Sequence, residues 1–187
     1  MPIYSNIKTV NFAQALSVPS WEELFFRLVY TTAAKSKSLT TKIGAVLVNW
    51  EEKDVFSYGF NGLPRGVNDN VRARTLNREE RAYFDVHAEC NAILNCARKG
   101  RSTLGSFMFT NAMPCSHCCA AIIQAGIKKV VFHKQWKEIA NETPSWQKWV
   151  ESARRGNEMF AEARVEVEEY NQFLGAKGLI DGKVVDV

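Results

Sequence analysis

The chain has 187 residues and a net charge of +4; with 46% hydrophobic and 24% charged residues it has the composition of an ordinary globular domain with one sizeable core. No run of about 18 apolar residues occurs, which excludes a transmembrane helix, and so mild a charge selects neither nucleic acid nor a phosphorylated small molecule. Five cysteines, odd in number and irregularly spaced, speak against a disulfide framework and for metal or thiol chemistry in a reducing compartment. The N-terminal stretch MPIYSNIKTVNFAQALSVPS lacks a basic region followed by an apolar core, so a secretory signal is not expected and a cytoplasmic location is.

The first predicted element is the helix in SWEELFFRLVYTTAAKS. Ser20 and Glu23 form a capping-box pattern, and Trp21, Leu24, Phe25, Leu28 and Val29 mark an apolar face. KIGAVLVN reads as a buried strand, NWEEKD as a turn and VFSYGF as its hairpin partner. The Gly, Pro and Asn of NGLPRGVNDN predict a loop. VRARTLNREER concentrates Arg72, Arg74, Arg78 and Arg81, diluted by Glu79 and Glu80, and suits either a solvated helix start or a phosphate contact. A helical period runs from Val86 to Lys99 and stops at Gly100. SFMFT is a strand, CSHCCAAIIQA a helix ending at Gly126, and KKVVFH another strand. Thr143 and Pro144 open a helix rich in Trp146, Trp149 and Val150, ARVEVEE is a last strand, and a short extension follows. This order implies an α/β protein with a mixed sheet between helix layers, a single domain over 1–187 with its core from about 20 to 170.

Two segments carry the chemistry. VHAECNAILNCA places His87 and Glu89 at a helix start, and PCSHC places Cys115 and Cys118 at another. Imidazole and thiolate are ligands that zinc prefers, and three protein ligands leave the fourth position open, as in catalytic sites. Cys115 and Cys118 are three residues apart, on one helical face, where the helix dipole also favours thiolate. Glu89, two residues after His87, lies beside such a site without ligating and is the candidate proton shuttle. HAE alone is usually a helical accident, and C-x-x-C alone serves structural zinc and redox sites. Together with Pro114 they make the H-x-E…P-C-x-x-C signature of zinc nucleobase deaminases. His117 is expected to be exposed, Cys90, Cys96 and Cys119 are expected as small core residues, and His133 has no assigned role.

SKSLTTKIGAVLVN, YGFNGLPRGVND, VHAECNAILNCARKG and MPCSHCCAAIIQAGIKKVVF resemble successive blocks of the deoxycytidylate (dCMP) deaminases, from about Trp21 to His133 and more weakly through FAEARVEV. The resemblance implies a three-layer α/β/α cytidine-deaminase-like fold around a mixed five-stranded sheet. It also implies a catalytic Zn2+ and hydrolytic deamination of dCMP to dUMP and ammonia, supplying thymidylate synthesis. Glu89 would protonate N3 and then the leaving amine, Asn61 would bond the sugar, and the Ala88 N–H would contact the pyrimidine. Trp136 occupies the place of a tyrosine that packs on the substrate, and Lys37, or Arg81 with Tyr83, would hold the phosphate. Family members are often hexamers and are often controlled by dCTP and dTTP with Mg2+, so a homo-oligomer with such effectors is expected. Met113, Cys90 and Trp136 depart from the family pattern near the pocket and leave the 5-substituent of the base open. Two rivals follow. A tRNA or single-stranded DNA deaminase would need a longer basic and aromatic surface, which makes nucleic acid an unlikely partner. A non-catalytic zinc-stabilised binding module has no use for Glu89.

Overall fold

The computed structural model describes residues 18–135, 139 and 146–187. Its main sheet follows the apolar runs. β1 (Gly44–Asn49), β3 (Phe107–Thr110) and β4 (Lys129–His133) are nearly continuous stretches of buried residues, the pattern of strands covered on both faces. β2 (Asp54–Phe60) and β5 (Glu166–Tyr170) form the edges, in the order β2-β1-β3-β4-β5. β1 is antiparallel to β2 and β3, whereas β3, β4 and β5 run parallel and are joined by helical crossovers.

Alternation along the strands sorts the side chains into two cores. Ala45 and Leu47 of β1, Met108, Val130 and Phe132 face α4 (Ala88–Lys99), α5 (Ser116–Gln124) and α6 (Gln147–Ala163). Val46 and Val48 of β1, Phe107, Phe109 and Val131 face α1 (Trp21–Ala33) and the C-terminal residues Leu174 and Val187. The result is a three-layer α/β/α fold around a mixed five-stranded sheet, with α4 and α5 side by side on one face. Gly59 of β2 sets how closely α4 lies on the sheet, since a Cβ there would sit 2.2 Å from the Ala88 carbonyl oxygen.

Several elements differ from expectation. Ser20 caps α1 by accepting from the Glu23 N–H, but the buried face of α1 is Phe25, Phe26, Val29, Tyr30 and Ala33. Trp21, Leu24 and Leu28 are 48%, 37% and 36% exposed. The helix carries two overlapping apolar stripes, and the sheet takes the one containing Phe26 and Tyr30, whose rings pack on Phe109, Tyr170 and His133. The arginine-rich segment folds into two short helices, α2 (Arg72–Leu76) and α3 (Arg78–Ala82), and Asn77 caps the second by accepting from the Glu79 and Glu80 N–H groups. Thr143 and Pro144 lie outside the described residues; α6 begins at Gln147.

The stretch after β5 is more than an extension. It forms an antiparallel hairpin, β6 (Lys177–Ile180) and β7 (Lys183–Asp186), in which Ile180 pairs with Lys183 across Asp181 and Gly182. Both turn residues have positive φ, 48° and 76°, as a two-residue hairpin of this twist requires. Leu174, Ile180 and Val187, in and beside it, are buried, Leu174 and Val187 in the α1 core and Ile180 against Ala112 and Trp146. No helix among the described residues is long and apolar enough to cross a membrane.

Candidate active site

Two helix starts meet at one end of the sheet. After β2, the chain makes a bridge in which Gly62 and Val86 exchange both backbone hydrogen bonds, and His87 then stands as the N-cap of α4. After β3, the chain passes Asn111 to Pro114, and Cys115 is the N-cap of α5. His87 Nδ1 lies 3.4 Å from Cys115 Sγ and 3.3 Å from Cys118 Sγ, and the three donor atoms are all within 4.8 Å of one another. His87 is the exposed member and the two cysteines are buried, so the cluster opens on the histidine side.

This donor set fits zinc. Bond lengths of about 2.1 Å to nitrogen and 2.3 Å to sulfur, at tetrahedral angles, require donors about 3.6–3.8 Å apart. Three protein donors of this kind leave one position free for a small molecule. Glu89 stands outside the donor cluster; it is buried, and its Oε2 accepts from Cys118 Sγ at 3.5 Å. Burial pushes its carboxyl above the usual carboxylate range, although His87 pulls the other way. In the metal-free site the Cys115 thiol is drawn down to about 3, first by a hydrogen bond from Cys118 and then by His87. His87 is raised to about 9, first by its hydrogen bond to Cys115. Cys118 is pushed up by its hydrogen bonds to Cys115 and Cys90 and by burial, so it keeps its proton.

His87 and Cys115 of the cluster line a cavity of about 240 Å³. His87, Ala88, Glu89 and Cys115 line the bottom; Ser38, Thr40, Thr41, Asn61, Arg81 and Asp85 supply a polar rim. The apolar part of the lining is Ile43, Ala112, Met113, Trp146 and Trp149. Ala88 is the first residue of α4, so its N–H is one of the first-turn donors without an intrahelical acceptor.

Asn61 is held by backbone. Its Oδ1 accepts from the Ile43 N–H at 2.8 Å and its Nδ2 donates to the Thr41 carbonyl at 3.1 Å. Asn111 does the same on the neighbouring groups, accepting from the Gly44 N–H at 2.9 Å and donating to the Lys42 carbonyl at 3.0 Å. Two asparagine amides thus grip residues 41–44 and fix the rim against the metal-bearing loop.

The remaining predicted residues divide. Arg81 reaches the rim but is engaged with Asp85 through Nε at 2.7 Å and a second nitrogen at 3.2 Å. Lys37 pairs with Asp69 and lines a neighbouring depression with Lys35, Arg65 and Arg74, which shares Arg81 with the cavity. Tyr83 is 87% exposed and lies outside the cavity lining. Trp136 lies outside the described residues. His117 is exposed and Cys96 and Cys119 are buried, but Cys90 is only half-buried and its sulfur is 3.8 Å from that of Cys118. His133 is buried in the other core, where its Nδ1 lies 2.7 Å from the Tyr30 hydroxyl and its Nε2 3.1 Å from the Gln172 carbonyl oxygen. Sequence reasoning missed Asn111, Trp146 and Trp149 as parts of the site. The only local signal was the indole pair at helical spacing, which reads equally well as core.

A three-layer α/β/α fold with an open His-Cys-Cys donor set at two helix N-termini defines the cytidine-deaminase-like class. The chain belongs to the family described as the cytidine and deoxycytidylate deaminase zinc-binding region, which matches residues 19–134. It is 37% identical over 116 residues to the deoxycytidylate deaminase of Homo sapiens, a match covering 60% of this chain and 64% of that protein, so the chain spans less than two thirds of that relative. It is 34% identical over 150 residues to an uncharacterized deaminase of Aliivibrio fischeri, covering 80% of this chain and 93% of the other. The crystal structure of dCMP deaminase from the cyanophage S-TIM5 superposes with a TM-score of 0.60 at 26% identity, covering 82% of this chain and 99% of that one.

Proposed function

We propose that this chain is a zinc-dependent hydrolytic deaminase that converts dCMP and water to dUMP and ammonia. The observation that carries the reading is Glu89: a buried carboxyl at the floor of a nucleotide-sized cleft, beside the His87–Cys115–Cys118 donors but outside their set. His87, Cys115 and Cys118 hold the ion, which when bound supplies the Lewis acidity that brings water ionisation towards neutral pH. Glu89 would take one proton from the attacking water and give it to N3 as the water oxygen bonds to C4. It would then take the second proton from that oxygen and give it to the exocyclic amine as the C4–N bond breaks and ammonia leaves, a role its burial suits by keeping the protonated form accessible. The free N–H of Ala88 orients the pyrimidine, Asn61 meets the sugar, and Trp149 with Met113 walls the base. Arg81, on the same rim, is a cation within reach of a 5′-phosphate.

The same reading includes assembly into a homo-oligomer, most simply a hexamer, and control by dCTP and dTTP with Mg2+. Support for control comes from the resemblance of the Asn61–Gly66 loop and from the basic residues Lys35, Lys37, Arg65 and Arg74 beside it. The test is product analysis with zinc-loaded protein given dCMP, deoxycytidine, dCTP and tRNA in parallel. Conversion of dCMP to dUMP, with deoxycytidine far slower, is expected. Equal kcat/KM for dCMP and deoxycytidine would remove the monophosphate from the reading, and preference for tRNA would replace it with a polynucleotide deaminase.

A further inference from the structure

The metal donors and Glu89 lie within the family-matched residues 19–134, whereas part of the cleft wall comes from beyond them. Trp146 lines the cavity and packs in one cluster with Ala112, also a lining residue, and Ile180 of the C-terminal hairpin. The tip of that hairpin is tied to the cleft rim by backbone. The Gly182 N–H donates to the Thr40 carbonyl at 2.7 Å, the Asp181 N–H donates to Thr41 Oγ1 at 3.2 Å, and the Lys42 N–H donates to the Leu179 carbonyl at 3.0 Å. Thr41 then accepts from Asn61 Nδ2 through its own carbonyl, and Ile43, two residues on, donates its N–H to Asn61 Oδ1.

From this chain of contacts we infer that the C-terminal hairpin is a positioning element of the nucleotide cleft: the Asp181–Gly182 turn sets the Thr40–Ile43 rim and, through it, the orientation of the Asn61 amide. The inference rests on the deaminase reading for the identity of the nucleotide. It goes beyond that reading in giving residues 177–186 a part in substrate affinity. The physical reason is backbone satisfaction. Thr40 to Lys42 precede β1 and have no ladder partner in the main sheet. Ser38, Asn61 and Asn111 hold the Thr41 N–H and the Thr41 and Lys42 carbonyls, but the Thr40 carbonyl and the Lys42 N–H are met by the hairpin and would otherwise turn to water and leave the rim less firmly set. The hairpin tip pairs with them as a short added strand would. An amide aimed from a fixed rim binds a sugar hydroxyl without first being ordered. The metal half of the site has supports that do not pass through the hairpin, the packing of α4 on β2 and the bond of Asn111 to the Gly44 N–H at the start of β1, so loosening the rim weakens nucleotide binding while leaving the ion in place.

Gly182→Pro is the informative variant. Proline holds φ near about −65°, where this turn requires 76°, and it lacks the N–H given to Thr40. Gly182→Asn keeps that N–H and tolerates positive φ, so it serves as the conservative control. Thr41→Val removes the hydroxyl acceptor of Asp181 at constant shape, and it reports on the rim if Gly182→Pro does not fold. Zinc content, steady-state dCMP deamination and calorimetric binding of dUMP are measured on the full-length zinc-loaded protein. Gly182→Pro and Thr41→Val are expected to raise KM for dCMP and Kd for dUMP together by about tenfold, the equivalent of one well-placed hydrogen bond, with kcat within about threefold. Zinc stays at the wild-type ratio, and Gly182→Asn stays within about twofold of wild type in all three. Unchanged KM and Kd in both variants would overturn the inference, as would a fall in zinc parallel to the fall in activity. If the wild type binds dUMP but does not deaminate dCMP, the deaminase reading fails; loss of that binding in Gly182→Pro would still support the hairpin's role.

Discussion

Replacing Gly59 by alanine probes how the site is held, at a residue that touches neither metal nor substrate. The added Cβ would lie 2.2 Å from the Ala88 carbonyl oxygen, 2.4 Å from the Ala92 nitrogen and 2.8 Å from the Asn91 carbonyl carbon. All three are backbone atoms of α4, so no side chain can swing aside. Restoring an ordinary contact of about 3.4 Å requires β2 and α4 to separate by about 1.2 Å, and α4 carries His87 and Glu89 at its head. Metal sites tolerate only about ±0.2 Å in ligand distance, so His87 and the sulfurs of Cys115 and Cys118 can no longer meet one ion at full strength. Overpacking of this kind costs about 1–3 kcal/mol in stability apart from any loss of metal. The expected result is a lowered Tm and less than one zinc per chain by metal analysis, with dCMP turnover falling at least as far as zinc. Gly62→Ala is the control, because its Cβ meets nothing nearer than a Phe60 ring carbon at 3.9 Å. A Gly59→Ala protein with wild-type zinc, Tm and turnover would refute the claim that this close approach sets the site.

Four further predictions concern the site itself. Glu89→Gln is expected to keep zinc at the wild-type ratio while deamination falls by about 10²–10⁴-fold or more, because the amide fills the same volume but cannot carry the proton; loss of zinc in this variant would contradict its place outside the donor set. His87→Ala and Cys115→Ala are expected to lose zinc and activity together, and a chelator is expected to lower the Tm of the wild type, since the bound ion stabilises the folded state. Zinc uptake at neutral pH is expected to release protons, because His87, raised to about 9, and Cys118, pushed up, both carry one before the ion binds; affinity therefore rises with pH, more steeply below about 9 than above it. Calorimetry in buffers of different ionisation heat reads that release, and a pH-independent affinity would exclude it. Asn111→Ala leaves the Gly44 N–H and the Lys42 carbonyl without their partner, and urea unfolding is expected to register a loss of about 2–4 kcal/mol. A loss below about 1 kcal/mol would mean that water replaces the amide.

What was legible in the chain lay within one turn or one strand. Cys115 and Cys118 are three residues apart and His87 and Glu89 two apart, so metal-ligand chemistry could be read from spacing before any tertiary contact was known. The apolar runs of β1, β3 and β4 likewise announced strands buried on both faces, because a strand covered on both sides needs apolar residues at consecutive positions. The Asp181–Gly182 pair between two β-branched stretches was a local hairpin signal that the sequence reading passed over. Other features had no local signature. Asn111 grips the chain 67 and 69 residues away, and Tyr30 meets His133 across 103 residues, so nothing near either residue marks its partner. In α1 both apolar stripes suit an amphipathic helix, and only the shape of the sheet beneath selects Phe26 and Tyr30 over Trp21, Leu24 and Leu28. Spacing and burial pattern determine which groups can act and which segments form elements, because those depend on a few neighbouring residues. Which faces dock, and which amide holds which rim, is decided by tertiary structure, because those choices minimise buried polar and exposed apolar surface over the whole chain at once.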